Sequence, residues 1–72
     1  MKRYAVVIEK SETGYGAYVP DLPGCVSTGR TREEVEVNIR EAIEFHIAGL
    51  LEDGDPVPEP TTLTAYVDAL AA

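Results

Sequence analysis

The run Tyr18–Glu34 constrains the fold more than any other stretch, because it turns twice and starts a helix within seventeen residues. Pro20 cannot donate a backbone hydrogen bond, so the strand before it must end there or lie at a sheet edge. Pro23-Gly24 predicts a turn, since proline presets one φ and glycine tolerates a positive φ at the next position. Thr31 followed by Glu34 is a capping box, which predicts a helix start directly after a short strand.

Apolar patterns around this run predict three strands before the helix and one after it. The β-branched segment Tyr4–Ile8 is apolar on both faces and predicts a central strand. Tyr15–Val19 and Cys25–Thr28 follow with short turns between them, which favours an antiparallel meander. Thr62–Val67 alternates again and predicts a fourth strand. A right-handed crossover through the helix would place that strand parallel to the first.

One long helix is predicted from about Arg32 to about Glu52. At 100° per residue its apolar residues form one inner face, comprising Val35, Ile39, Ala42, Ile43, His46, Gly49 and Leu50. Gly49 suggests a close approach of the helix to the sheet, and Asp53-Gly54 ends the helix. Three prolines then predict a stiff connection back to the sheet. The expected fold is α+β, with the order β-β-β-α-β, a four-stranded mixed sheet, one helix on one face, and a single domain over residues 1–72.

The charge balance limits the partners that the chain can bind. Thirteen acidic residues stand against six basic ones, and the formal net charge is −7. This charge repels nucleic-acid phosphates and anionic membranes and suits a basic partner. Lys2-Arg3 precedes only five apolar residues, too few for a signal peptide, and no apolar run approaches membrane-spanning length. We therefore expect a cytoplasmic protein without direct nucleic-acid or membrane binding.

The small size of the chain predicts association with another protein. A domain of 72 residues buries only about 60–65% of its unfolded surface. One cysteine and one histidine are too few for a disulfide framework or a zinc site. A homodimer, a higher homo-oligomer or a partner is the remaining source of stability. Apolar residues expected on the second sheet face or the outward helix side are candidate contacts: Val7, Tyr18, Val37, Ile47 and Leu51.

Two constellations could carry catalysis, and both are weak. A divalent-metal nuclease needs converging carboxylates, and Glu9, Glu41 and Asp68 are the trio that the predicted fold offers. Cys25 and His46 could form a thiol dyad, but no orienting residue or oxyanion hole accompanies them. A packed histidine and a small apolar cysteine are the simpler interpretations. We expect no enzymatic activity, no cofactor and no metal ion.

Three motifs in sequence order resemble the HicB-type antitoxin family. They are YVPDLPGCVSTGRTREEV from Tyr18, NIREAIE from Asn38 and EDGDPVPEP from Glu52. The resemblance covers essentially the whole chain and implies a truncated ribonuclease H-like fold, in agreement with the predicted element order. Its residues have mainly structural roles, and they are Pro20, Asp21, Leu22, Pro23, Gly24, Cys25, Gly29, Thr31, Glu34, Glu41, Ala42, Gly54 and Pro58.

The resemblance implies an antitoxin of a bacterial type II toxin-antitoxin system. Family members bind a small basic toxin that cleaves mRNA and cover its active site, and an acidic surface suits such a partner. Many members carry a C-terminal DNA-binding segment. Because the chain stops about five residues after its last predicted strand, we expect a short form without that segment. The alternative is a stand-alone regulatory or small-molecule-binding domain that keeps the fold without a toxin.

Overall fold

A computed structural model describes residues 1–71 and has an α+β architecture, with three strands followed by one long helix. Strand β1 spans Val7–Lys10, β2 spans Tyr15–Tyr18, and β3 spans Val26–Gly29. The sheet order is β1-β2-β3, and both neighbouring pairs are antiparallel. Helix α1 spans Arg32–Glu52. The predicted meander and the predicted helix are confirmed.

The predicted fourth strand is absent from the described part of the chain. Thr62–Val67 contains no helix, turn or strand, so the sheet has three strands and is antiparallel rather than mixed. Alternation predicts a two-faced strand, but it does not specify which edge that strand pairs with. The pattern predicts pairing within one chain, and among residues 1–71 of one chain that pairing does not form.

The position of β1 also differs from the prediction. Tyr4–Ile8 was expected to be a central strand, whereas the paired residues are Val7–Lys10 and the strand lies at an edge. In this strand, backbone pairing is limited to the residues that face β2. The pairing runs from Val7 opposite Tyr18 to Lys10 opposite Tyr15. Tyr4 and Val6, before the paired residues, therefore pack against the core without a ladder partner in the sheet.

The core lies between the sheet and the first half of α1. Its six buried residues are Ala17, Val19, Leu22, Cys25, Val35 and Ile39. The helix contributes a row of apolar residues at four-residue spacing. The row begins with Val35 and Ile39, slants across the helix surface and continues through Ile43 to Ile47. Ile47 is consequently half-buried against the core. The prediction that Ile47 points away from the core is wrong.

The N-terminus of α1 is capped by Thr31, as predicted. The Thr31 hydroxyl accepts a hydrogen bond from the Glu34 backbone N–H at 3.0 Å. The reciprocal bond of a capping box is displaced by one residue, because the Glu34 carboxylate accepts from the Arg30 N–H at 3.1 Å. The Glu34 N–H of the first turn and the Arg30 N–H just before the cap are both satisfied, so the cap still stabilises the helix start.

The C-terminus of α1 ends in a Schellman motif around Gly54, which has a φ of +73°. The Gly54 N–H donates to the Leu51 carbonyl at 3.2 Å, and the Asp55 N–H donates to the Leu50 carbonyl at 2.9 Å. This geometry confirms the predicted helix stop. Within residues 1–71, no helix combines the length and apolar character needed to cross a membrane.

Of these two glycines, Gly29 and not Gly49 marks a close approach of sheet to helix. A Cβ atom at Gly29 would lie 2.6 Å from the backbone nitrogen of Val35, whereas one at Gly49 would meet nothing within 4 Å. The prediction for Gly49 is wrong because α1 outruns the sheet. Its 21 residues extend about 31 Å, and strands of four residues extend about 13 Å.

Candidate protein-binding surfaces

The turn at residues 20–25 closes one end of the core with two buried side chains, while Pro20, Pro23 and Gly24 are exposed. Leu22 is fully buried and Cys25 is nearly so. Backbone bonds tie the turn together, from the Leu22 N–H to the Val19 carbonyl at 3.1 Å and from the Cys25 N–H to the Leu22 carbonyl at 3.0 Å. Gly24 has a φ of +83°, which the predicted Pro-Gly turn requires. These family-motif residues therefore build the fold.

Asp21 is the exception within this turn, because it binds a distant segment. Its carboxylate accepts four hydrogen bonds of 3.0 to 3.1 Å from the backbone N–H groups and hydroxyls of Thr61 and Thr62. These bonds, the Thr62 N–H first among them, hold the pKa of Asp21 below its ordinary value of 3.8. No local sequence signal points to this contact across forty residues.

Residues 56–62, here called the strap, carry the chain from the end of α1 back to the sheet. The Tyr4 hydroxyl donates to the Pro58 carbonyl, and Lys2 forms an ion pair with Glu59. The hydrogen bond from Lys2 to Glu59 raises the pKa of Lys2. Together with Asp21, these contacts fix the strap along its second half. The segment returns to the sheet as predicted, and the Asp21 contacts hold Thr62 there; its stiffness stays a prediction.

The outward side of α1 combines acidic and apolar residues. The helix contains six glutamates and two arginines, and no basic residue lies in its last turn, although the negative end of the helix dipole favours one. Val37 and Leu51 are exposed on this helix, as predicted for contact residues. Phe45 is 84% exposed and is not among the predicted contact residues, because it lies at the margin of the outward side.

The sheet face opposite α1 carries an apolar row. Val7 on β1 stands opposite Tyr18 on β2, and Tyr18 stands opposite Val26 on β3. Tyr18 and Val26 are exposed, and Val7 is half-buried. Glu9 lies on the same face one row away. The predicted contact residues Val7 and Tyr18 are therefore neighbours, whereas Val37 and Leu51 lie on the other layer. Which of these surfaces meets a partner remains a prediction.

Two grooves lie on the surface formed by the sheet and α1. An apolar groove of about 480 Å³ lies between the β1 side and α1, where Val6, Ile8, Ile39 and Ile43 form its floor. An open polar cleft of about 840 Å³ lies at the other end of the sheet, near the β1–β2 turn and the start of α1. Lys10, Arg30, Glu9 and Glu34 are among the residues lining it, so charges of both signs alternate there without one dominant sign.

The residues considered for catalysis are not assembled into a site. No group of three or more metal-ligating side chains is found within residues 1–71. Glu9 lies on the outer sheet face and Glu41 on the helix, so the sheet separates them from a common ion. Cys25 is buried, and burial raises the pKa of its thiol, which disfavours the nucleophilic thiolate. His46 is half-buried on the inner side of α1.

Two curated relatives are similar to this chain over most of its length. An uncharacterized 14.9 kDa protein of Haemophilus phage HP1 is 45% identical over 65 residues, which cover 90% of this chain and 49% of the phage protein. Antitoxin HicB 2 of Photorhabdus laumondii is 35% identical over 71 residues, which cover 97% of this chain and 51% of that protein. The chain thus spans about half the length of both.

A solved structure has the same fold. One chain of a HicA3 and HicB3 toxin-antitoxin complex superposes with a TM-score of 0.71 at 36% identity. The match covers 82% of this chain and 69% of that chain. The family described as the HicB-like antitoxin of bacterial toxin-antitoxin systems matches residues 4–71. The element order, the motifs and this match agree, and the chain belongs to the HicB-like antitoxin family.

Proposed function

We propose that this protein is a cytoplasmic antitoxin that binds a small basic, mRNA-cleaving toxin of the HicA type and inhibits it sterically. The observation that carries the proposal is the structural similarity to a chain from a HicA3–HicB3 complex, at 36% identity. Inhibition by contact needs no chemistry from the antitoxin. This is compatible with a chain whose thiol is buried and whose Glu9 and Glu41 lie on different layers, on the sheet and on the helix.

The charge distribution supports a basic partner. The glutamates of α1 are continued past its end by Asp53 and Asp55, where the helix dipole adds partial negative charge. A cationic toxin surface would be attracted to this region and would relieve the repulsion among these carboxylates. The exposed apolar residues Val37, Phe45 and Leu51 lie on the same helix. Together they offer the apolar centre and charged rim that protein interfaces use.

The direct test is co-expression with the small basic protein encoded by an adjacent gene. We expect the two proteins to co-purify, and we expect this chain to suppress mRNA cleavage by its partner. Raising the salt from about 50 mM to about 500 mM should weaken the complex at least about tenfold, since rim charges are screened. A stand-alone domain would neither bind the neighbour nor suppress cleavage, and that result would contradict the proposal.

A charge reversal localises the partner on the helix. Glu41→Lys changes one exposed carboxylate of α1, and Glu12→Lys makes the same change in the β1–β2 turn. We expect Glu41→Lys to weaken toxin binding roughly tenfold and to reduce its salt dependence, because it places a like charge against a basic surface. Glu12→Lys should change both much less. Equal effects, measured by calorimetric titration, would show that the helix is not the contact surface.

A further inference from the structure

The last described residues form an apolar segment without a partner in the chain. Residues 63–71, here called the tail, follow the strap directly. Leu63, Tyr66, Val67 and Leu70 are between 85% and 105% exposed. Leu63, Ala65 and Val67 alternate with polar or larger residues, so an extended tail would have one aliphatic side. A set of large exposed apolar residues in one segment marks a contact surface.

The same chain carries a surface that an added strand would complete. β1 is an edge strand, and its outer edge offers unpaired backbone donors and acceptors. Beside it lies the apolar groove lined by Val6, Ile8, Ile39 and Ile43. A strand added to this edge would direct every second side chain over that groove. The aliphatic side of the tail has the spacing and chemistry that this groove requires.

The tail lies beside the edge but does not pair with it. Tyr66 borders a small cleft of about 200 Å³ together with Val6, Ile8 and Arg32. Within residues 1–71, no backbone hydrogen bond joins the tail to β1. Asp21 holds Thr61 and Thr62, so the tail starts from a clamped point. The chain thus presents a donor strand and an acceptor edge, both unused.

We infer that two copies of this chain exchange tails, each tail adding as a fourth strand to the β1 edge of the other copy. Donor and acceptor belong to one sequence, so a two-fold symmetric dimer satisfies both at once. Residues 63–68 would extend about 20 Å, enough to follow the whole of β1. The fourth strand that the alternation predicts within one chain is then formed between chains.

A second copy fits this groove better than a basic partner does. Its floor is aliphatic, and two arginines and two glutamates line its margins, so their charges balance: Arg32, Arg40, Glu36 and Glu44. A cationic protein would find no excess of negative charge at that position. The acidic end of α1, which suits such a partner, lies beyond the sheet. The exchanged dimer and a toxin complex can therefore use different surfaces, and each can fail without the other.

The test uses the full chain in analytical ultracentrifugation. We expect the wild-type protein to sediment as a dimer, and Leu63→Asp or Val67→Asp to weaken dimerisation by at least about tenfold, because either places a charge over the apolar groove. Phe45→Asp is the matched control on the helix surface. It should leave the dimer intact. Circular dichroism should show unchanged helix content in all variants.

Disulfide trapping distinguishes exchange from docking within one chain. In a Cys25→Ala background, one chain carries Lys10→Cys and a differently tagged chain carries Tyr66→Cys. Oxidation of the mixture should give the mixed disulfide-linked dimer. A chain carrying both substitutions should also give linked dimers rather than a closed monomer.

Three results would overturn the inference. They are a monomeric wild type, an intrachain disulfide in the doubly substituted chain, or a dimer that dissociates in Phe45→Asp but persists in Leu63→Asp.

Discussion

Single residues show where this small fold is tightly packed and where it is not. Gly29 has backbone of α1 within 3 Å of where a Cβ would stand, whereas Gly49 faces open space. We expect Gly29→Ala to lower the free energy of unfolding by about 1–3 kcal/mol through overpacking. Gly49→Ala should raise it by up to about 1 kcal/mol through helix propensity. Urea unfolding at one protein concentration measures both, and effects of the same sign would contradict this account.

Asp21 makes the strap sensitive to acid. Its folded-state pKa lies below the ordinary value of 3.8, so its stabilising contribution is present above 3.8 and is lost as the pH falls below 3.8 and through the folded-state pKa. We expect the Thr61 and Thr62 amides to be protected from hydrogen exchange at about pH 6 and to lose protection below about pH 4. The buried Cys25 amide serves as an internal reference.

The variant Asp21→Asn separates this carboxylate from general acid unfolding. It removes the charge but keeps a similar shape, so Thr61 and Thr62 should exchange faster at neutral pH while Cys25 stays protected. If protection of the strap falls with pH in Asp21→Asn as it does in the wild type, the carboxylate is not the cause.

Residue-level predictions from sequence succeeded where the signal is local. Thr31 as N-cap and Gly54 as helix stop each follow from two or three neighbouring residues. The contact of Asp21 with Thr61 could not be predicted, because nothing near Asp21 in sequence encodes a partner forty residues away. Phe45 was missed for a related reason. Whether an aromatic residue beside the apolar face of a helix is buried or exposed depends on how much of the helix circumference the sheet covers, and the sequence does not give that width.

Local sequence pattern determines the bounds of the helix, but it does not determine how a strand pairs. Helix α1 begins and ends where the periodicity and caps predict. The fourth strand does not form within the chain, because a strand depends on a partner that alternation does not name. Its residues nevertheless have the strand pattern. Under the exchange inferred above, Thr62–Val67 is a strand as the alternation predicts, but it pairs with the other copy instead of its own chain.

The C-terminal end of α1 carries an electrostatic cost that a substitution should reveal. Its last turn has no basic residue, although the helix dipole favours cations there. Glu52→Lys should therefore raise the free energy of unfolding by about 0.3–1 kcal/mol at low salt. Glu12→Lys, outside the helix, should change it less. The difference should shrink in about 1 M salt, and a difference that persists there would assign the effect to something other than charge.

At the scale of the whole molecule, apolar surface exceeds what one copy can cover. Of residues 1–71, six are buried, while apolar side chains stay exposed on the helix, the outer sheet face and the tail. Size and composition predicted this excess. They could not assign the surfaces, since a partner and a second copy both cover apolar area. The family was identifiable from three motifs whose residues mostly build turns and caps, and those motifs do not reveal which face binds.

The narrow sequence range of the core has a kinetic consequence. All six buried residues lie between Ala17 and Ile39, so the contacts that define the core close over short loops. Folds with such local contacts cross their barrier quickly, because little chain entropy is lost before packing begins. The tail takes no part in that core. Folding should therefore be a fast, concentration-independent event, and assembly a slower one whose rate depends on how much of the protein is present.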